Sequence, residues 1–83
     1  MVVKFIKEAD KFSKSFGKLD YSYKPRVAKL IQKIIENPEI GKPMMYSRKG
    51  TREIYVSPFR LSYEYLKDED KIIFLDLYHK DGQ

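Results

Sequence analysis

The architecture is written in residues 51–78, TREIYVSPFRLSYEYLKDEDKIIFLDLY. Ile54 and Val56 alternate with Glu53 and Tyr55. Ser57-Pro58 breaks that run. Phe59, Leu61, Tyr63 and Tyr65 then alternate with Arg60, Ser62 and Glu64. Lys67-Asp68-Glu69-Asp70 is a polar turn, after which Ile73, Leu75 and Leu77 alternate with Ile72, Phe74, Asp76 and Tyr78. A period of two means strands, because successive strand side chains point to opposite faces. Three such runs with short connections predict an antiparallel meander. One face would carry Ile54, Val56, Phe59, Leu61, Tyr63, Ile73, Leu75 and Leu77. The other would carry Glu53, Tyr55, Arg60, Ser62, Glu64, Asp76, Tyr78 and Lys80.

Upstream of the meander the period is helical. Ala9, Phe12, Phe16 and Leu19 form one stripe, and Gly17 is placed to close that helix in the left-handed conformation that glycine tolerates. Val27, Leu30, Ile31, Ile34 and Ile35 form a second. Pro25 suits the first turn of that helix, where its missing N–H costs nothing. Asn37-Pro38 ends it, since a residue before proline avoids the α region. Val2–Ile6 is a short β-branched and aromatic run that predicts an edge strand. Glu39–Gly50 reads as loop or irregular strand. The expected fold is therefore α+β: two N-terminal helices packed on one face of an antiparallel meander, with a short N-terminal edge strand. A chain of 83 residues holds one domain, residues 1–83, with a small core.

Composition narrows the function classes. Hydrophobic residues make up 42% and charged residues 35%, enough apolar content for a folded core. No apolar run approaches the ~18 residues of a membrane span, and no secretory signal pattern is present. The expectation is a cytoplasmic protein with no membrane partner. Cysteine is absent and histidine occurs once. Disulfides and thiolate sites are excluded and a His-based zinc site nearly so; neither metal nor cofactor is expected. The formal net charge is +5, with twelve basic and five acidic side chains in residues 1–50. A basic small domain has a polyanionic partner or is merely soluble.

The meander's second face mixes charge with aromatics. Such a surface binds phosphate through arginine and stacks bases on tyrosine, here Tyr55 and Tyr78. Cross-strand ion pairs such as Arg60 with Asp76 or Glu64 would explain the same residues without any ligand. Both readings stand at this point. The helix lysines, Lys29 and Lys33 among them, read as a solvated face or a partner-binding one.

The ordered set Lys49-Gly-Thr-Arg-Glu-Ile-Tyr-Val56, Pro58-Phe-Arg-Leu-Ser-Tyr-Glu-Tyr65 and Ile72-Ile-Phe-Leu-Asp-Leu-Tyr-His-Lys80 resembles the RelE/ParE toxin superfamily. Gly41-Lys42-Pro43 resembles its connection from helices to sheet. The resemblance implies a β-α-α-β-β-β microbial ribonuclease-like domain. It implies the toxin half of a toxin–antitoxin pair, with a cognate antitoxin, the ribosome and mRNA as partners. RelE-like and YoeB-like members cleave mRNA in the ribosomal A site, whereas ParE-like members poison DNA gyrase with the same fold. A catalytically inactive RNA-binding relative is the further alternative.

For a nuclease, the implied chemistry is metal-free transesterification by a ribose 2′-hydroxyl. Arg60 matches the family arginine of the aromatic-Arg-Leu-x-Tyr segment and is assigned phosphate binding and transition-state stabilisation. His79 matches the terminal histidine of YoeB-like members and is assigned proton transfer, with Lys80 supplying charge. Arg48, Lys49 and Arg52 are candidate phosphate contacts, or else simply an exposed basic turn. Lys29 and Lys33 would attract an antitoxin. The pattern departs from the family at two places. Met44 stands where YoeB-like members carry an acidic residue. Glu53 and Tyr55 stand where RelE-like members carry paired lysines. Strict alternation puts His79 on the Leu77 face, away from Arg60, unless a bulge or curled terminus intervenes.

Overall fold

The period-two runs become three long strands of one sheet. The computed structural model describes residues 3–44 and 50–79. Strand β1 is Phe5–Glu8, helix α1 is Asp10–Gly17 and helix α2 is Lys24–Glu36. Strands β2 to β5 follow: Lys42–Pro43, Thr51–Val56, Phe59–Leu66 and Lys71–His79. The sheet order is β1-β5-β4-β3-β2. β2 to β5 pair antiparallel, and β1 joins β5 in parallel at one edge. The chain must cross over to make that parallel pair, and the two helices form the crossover. This is the predicted α+β arrangement, with the edge strand two to three residues later than expected.

Both helices follow their apolar stripes. Phe12 in α1 and Val27 and Ile34 in α2 are buried, and Pro25 lies in the first turn of α2. Asn37 leaves the helix in an extended conformation, φ −142° and ψ 84°, as its following proline requires. Gly17 is the last helical residue and Lys18 after it is right-handed, so α1 does not end on the left-handed glycine expected. The core joins Val3, Phe12, Val27, Ile34, Leu61, Tyr63, Ile72, Phe74 and Leu77. Phe12 stacks on Phe74 at 5.3 Å between ring centroids, which seats α1 on β5. Each fully buried side chain of this size stabilises by about 1.5–3 kcal/mol.

One face assignment is corrected. Ile72 and Phe74 are buried at 0% and 1% exposure, whereas Ile73 and Leu75, expected inside, are only partly covered. The register explains it. Ser62 pairs with Asp76, but the next residue, Tyr63, pairs with Phe74. Leu75 is the extra residue of a β-bulge, which reverses the in/out parity of β5 partway along. Leu77 is therefore inside as expected, and Ile72 and Phe74 replace Ile73 and Leu75.

A polar clamp holds the segment between α2 and β2. The Tyr63 hydroxyl donates to the Pro38 carbonyl at 2.7 Å and accepts the Gly41 N–H at 2.9 Å. Arg52 Nη1 donates to the carbonyls of Glu39, at 3.0 Å, and Gly41, at 2.8 Å. A Cβ at Gly41 would lie 2.7 Å from the Tyr63 hydroxyl oxygen, so the close approach demands glycine there. Burial pushes the Tyr63 hydroxyl pKa up, partly offset by the Gly41 hydrogen bond and the Arg52 charge. A raised folded-state value means that this stability is complete below about pH 10 and is lost as pH rises beyond it. Tyr63→Phe should cost about 1–3 kcal/mol at neutral pH and show a shallower alkaline loss than the parent. Gly41→Ala should cost about 1–3 kcal/mol. Thermal melts from pH 7 to pH 11 measure both.

Candidate functional site

The helices cover one face of the sheet and leave the other open. On the open face two rows of paired residues run across the strands. Glu53, Ser62 and Asp76 form one row; Tyr55, Arg60 and Tyr78 form the next. The bulge at Leu75 brings Asp76 and Tyr78 into these rows. Lys42 on β2 pairs with Glu53 and extends the first row at the edge.

Glu53 is the unexpected member. Alternation placed it on the charged and aromatic face, and there the residue is only 6% exposed. The Tyr78 hydroxyl reaches across β4 and donates to Glu53 Oε2 at 2.8 Å. Arg60 Nη1 faces Glu53 Oε1 at 3.4 Å, and its own side chain stays 42% exposed. Ser62, between β3 and β5, is buried and too small to block this span. The ion pairs envisaged for Arg60 with Asp76 or Glu64 are not those formed. Asp76 instead receives Lys11 Nζ from α1 on Oδ2, at 3.3 Å, and the Leu77 N–H on Oδ1, at 2.8 Å. Sequence patterning missed Glu53 because alternation reports a face, not how neighbouring rings cover it.

A depression of about 340 Å³ lies beside this cluster, lined by Lys42, Glu53, Tyr55 and Arg60 together with Ile40, Met44 and Ile54. Tyr55 is 53% exposed. The arrangement offers a guanidinium held by Glu53 on a residue that pairs with a tyrosine on each neighbouring strand, with a lysine nearby. That combination suits a phosphate and a flat base. Among the described residues, no group of three or more His, Asp or Glu stands where it could hold a metal ion.

The other candidate residues separate. His79 pairs with Phe59 and packs edge-on against its ring, 5.6 Å between centroids. It lies on the helix-side face, so the structure does not bring it to Arg60. Arg52 also faces that side, beside Tyr63, and its Nη1 is engaged in the clamp. Arg48, Lys49 and Lys80 lie outside the described residues. Lys29 and Lys33 are exposed on α2.

Residues 2–83 match the family described as the ParE toxin of the type II toxin–antitoxin system parDE. The chain therefore belongs to that family of toxins. Solved structures agree on the fold. The isolated Escherichia coli RelE toxin superposes with a TM-score of 0.80 at 16% identity, covering 95% of this chain and 86% of that one. The toxin–antitoxin complex RelBE2 of Mycobacterium tuberculosis gives 0.82 at 19%, covering 94% and 99%. A YoeB/ParE toxin from Agrobacterium tumefaciens gives 0.80 at 11%, covering 92% and 98%. No curated protein matches the sequence. No helix among the described residues is long and apolar enough to cross a membrane.

Two substitutions test the energetics of the Glu53 cluster. Tyr78→Phe removes the short bond to a buried carboxylate and should cost about 1–3 kcal/mol. Arg60→Ala removes a longer, half-exposed contact and should cost about 1 kcal/mol or less. Melting temperatures of the two variants should fall in that order.

Proposed function

We propose that this toxin cleaves mRNA on the ribosome by 2′-hydroxyl transesterification and so inhibits translation in the cytoplasm. The observation that carries the reading is Arg60. It sits on the open face directly between Tyr55 and Tyr78, held yet exposed. Arg60 clamps the scissile phosphate and offsets the charge that grows on the phosphorane. Tyr55 and Tyr78 stack the flanking bases, and Lys42 adds charge at the rim. Expression of the chain alone should arrest growth, with primer extension showing new breaks inside translated codons. Arg60→Ala should lower cleavage about a hundredfold or more, a loss of ~3 kcal/mol, and Arg60→Lys should recover only part. Intact mRNA during a clear arrest would remove the nuclease reading.

A second reading is a ParE-like gyrase poison without chemistry of its own. It is favoured by the family match and by the placement of His79 across the sheet from Arg60. Inhibited supercoiling with accumulated cleavage complexes, at saturating purified toxin, would establish it in place of the first.

The partner that restrains either activity is a cognate antitoxin. The relative from Mycobacterium tuberculosis was solved as such a complex. Exposed Lys29 and Lys33 on α2 steer an acidic segment toward the helices. Reversing both charges to glutamate should slow association at low salt and flatten its salt dependence, measured by stopped flow. An unchanged association rate would leave the lysines as a solvated stripe.

A further inference from the structure

We propose that Glu53 is the final acceptor of the proton of the attacking 2′-hydroxyl, which reaches it through the Tyr78 hydroxyl. This rests on the ribonuclease reading above. That reading leaves one part of the reaction unassigned, because the 2′-hydroxyl needs a proton acceptor near Arg60. Among the described residues, the other groups on the open face do not serve. Lys42 and Arg60 are cations with no acceptor atom. Asp76 has Oδ1 on the Leu77 N–H and Oδ2 on Lys11. Glu64 lies four residues along β4 from Arg60, roughly 13 Å between Cα atoms at strand rise. His79 faces the other side of the sheet, against Phe59.

Glu53 is too well covered to touch a ribose itself, at 6% exposure. One of its contacts is Tyr78, whose hydroxyl already donates to Oε2 at 2.8 Å. A phenol alone is a poor acceptor, and a phenol bonded to a carboxylate is a relay. The 2′-oxygen forms its bond to phosphorus as the bond from phosphorus to the 5′-oxygen breaks. The 2′-hydroxyl proton moves to Tyr78 Oη while the Tyr78 proton moves to Glu53 Oε2. Tyr78 is neutral before and after, and Glu53 ends neutral. The 5′-oxygen leaves with the electron pair and takes a proton from water. The hydroxide so formed is neutralised by the Glu53 proton, which restores the carboxylate. The relay also frees Arg60. Once Glu53 is protonated, its 3.4 Å hold on Arg60 Nη1 weakens as charge builds on the phosphorane.

The test is single-turnover cleavage of mRNA-programmed ribosomes by purified Glu53→Gln, Tyr78→Phe, the double variant and Arg60→Ala. Each relay variant should lower the saturating rate about 10²–10⁴-fold. The half-saturating toxin concentration should stay within a few-fold. The double variant should be no slower than either single one, since both residues serve one step. An RNA with sulfur as the bridging 5′ atom loses its leaving group without a proton, so it should not rescue either variant. Rescue by that substrate would mean that the pair serves the leaving oxygen, which overturns the proposal. Wild-type rates for folded Glu53→Gln and Tyr78→Phe, with Arg60→Ala inactive, would overturn the relay and keep the nuclease. Failure of the parent chain to cleave would remove both. Should Glu53→Gln not fold, Tyr78→Phe, which retains its ring, carries the same outcomes.

Discussion

The β-bulge at Leu75 is the constraint on which the rest of the structure depends. Without it, one period-two strand would put either Ile72, Phe74 and Asp76 inside, or Ile73, Leu75 and Leu77. The first choice buries a carboxylate in an apolar core. The second leaves Phe74 off the face that α1 needs, where it now stacks on Phe12. The extra residue permits Phe74 and Leu77 to be inside together. The same shift delivers Asp76 and Tyr78 to the open face, opposite Ser62 and Arg60. Core packing and site assembly are thus two results of one local register change.

The two sides of the sheet are tied by β3 and β4. Tyr63 and Arg52 point to the helix side and lock the segment from Pro38 to Gly41 by hydrogen bonds. Glu53, between Arg52 and Ile54 in sequence, points to the open side and receives Tyr78 and Arg60. Lys42 continues from the clamped segment and pairs with Glu53 at the sheet edge. The clamp therefore sets where the rim of the open-face depression lies. Arg52, a candidate phosphate contact by sequence, has its Nη1 in the clamp, and Glu53, which was not a candidate, lies beside Arg60 in the candidate site.

Electrostatics distinguishes the two surfaces. The helix side presents exposed lysines, which act on an approaching partner at long range and are screened by salt. On the open face Arg60 is held against a buried carboxylate, and Asp76 between Lys11 and a backbone N–H. Fixed charges of this kind act on a bound group rather than on encounter. Family membership specifies a toxin, and the candidate site proposed for it lies on the face that the helices do not cover.

Local pattern determined most of the fold. The two helical stripes, Pro25, Asn37-Pro38 and three alternating runs are nearest-neighbour information, and each element formed where its residues placed it. Arg60 on the uncovered face was legible for the same reason, since alternation and helix amphipathicity both follow from backbone geometry. The tertiary structure decided what depends on partners distant in sequence. Whether β5 bulges depends on matching Phe74 to Phe12 across the core. Whether Glu53 is buried depends on a tyrosine 25 residues further along the chain. Those outcomes are set by the packing of whole elements, and no short window of sequence contains them.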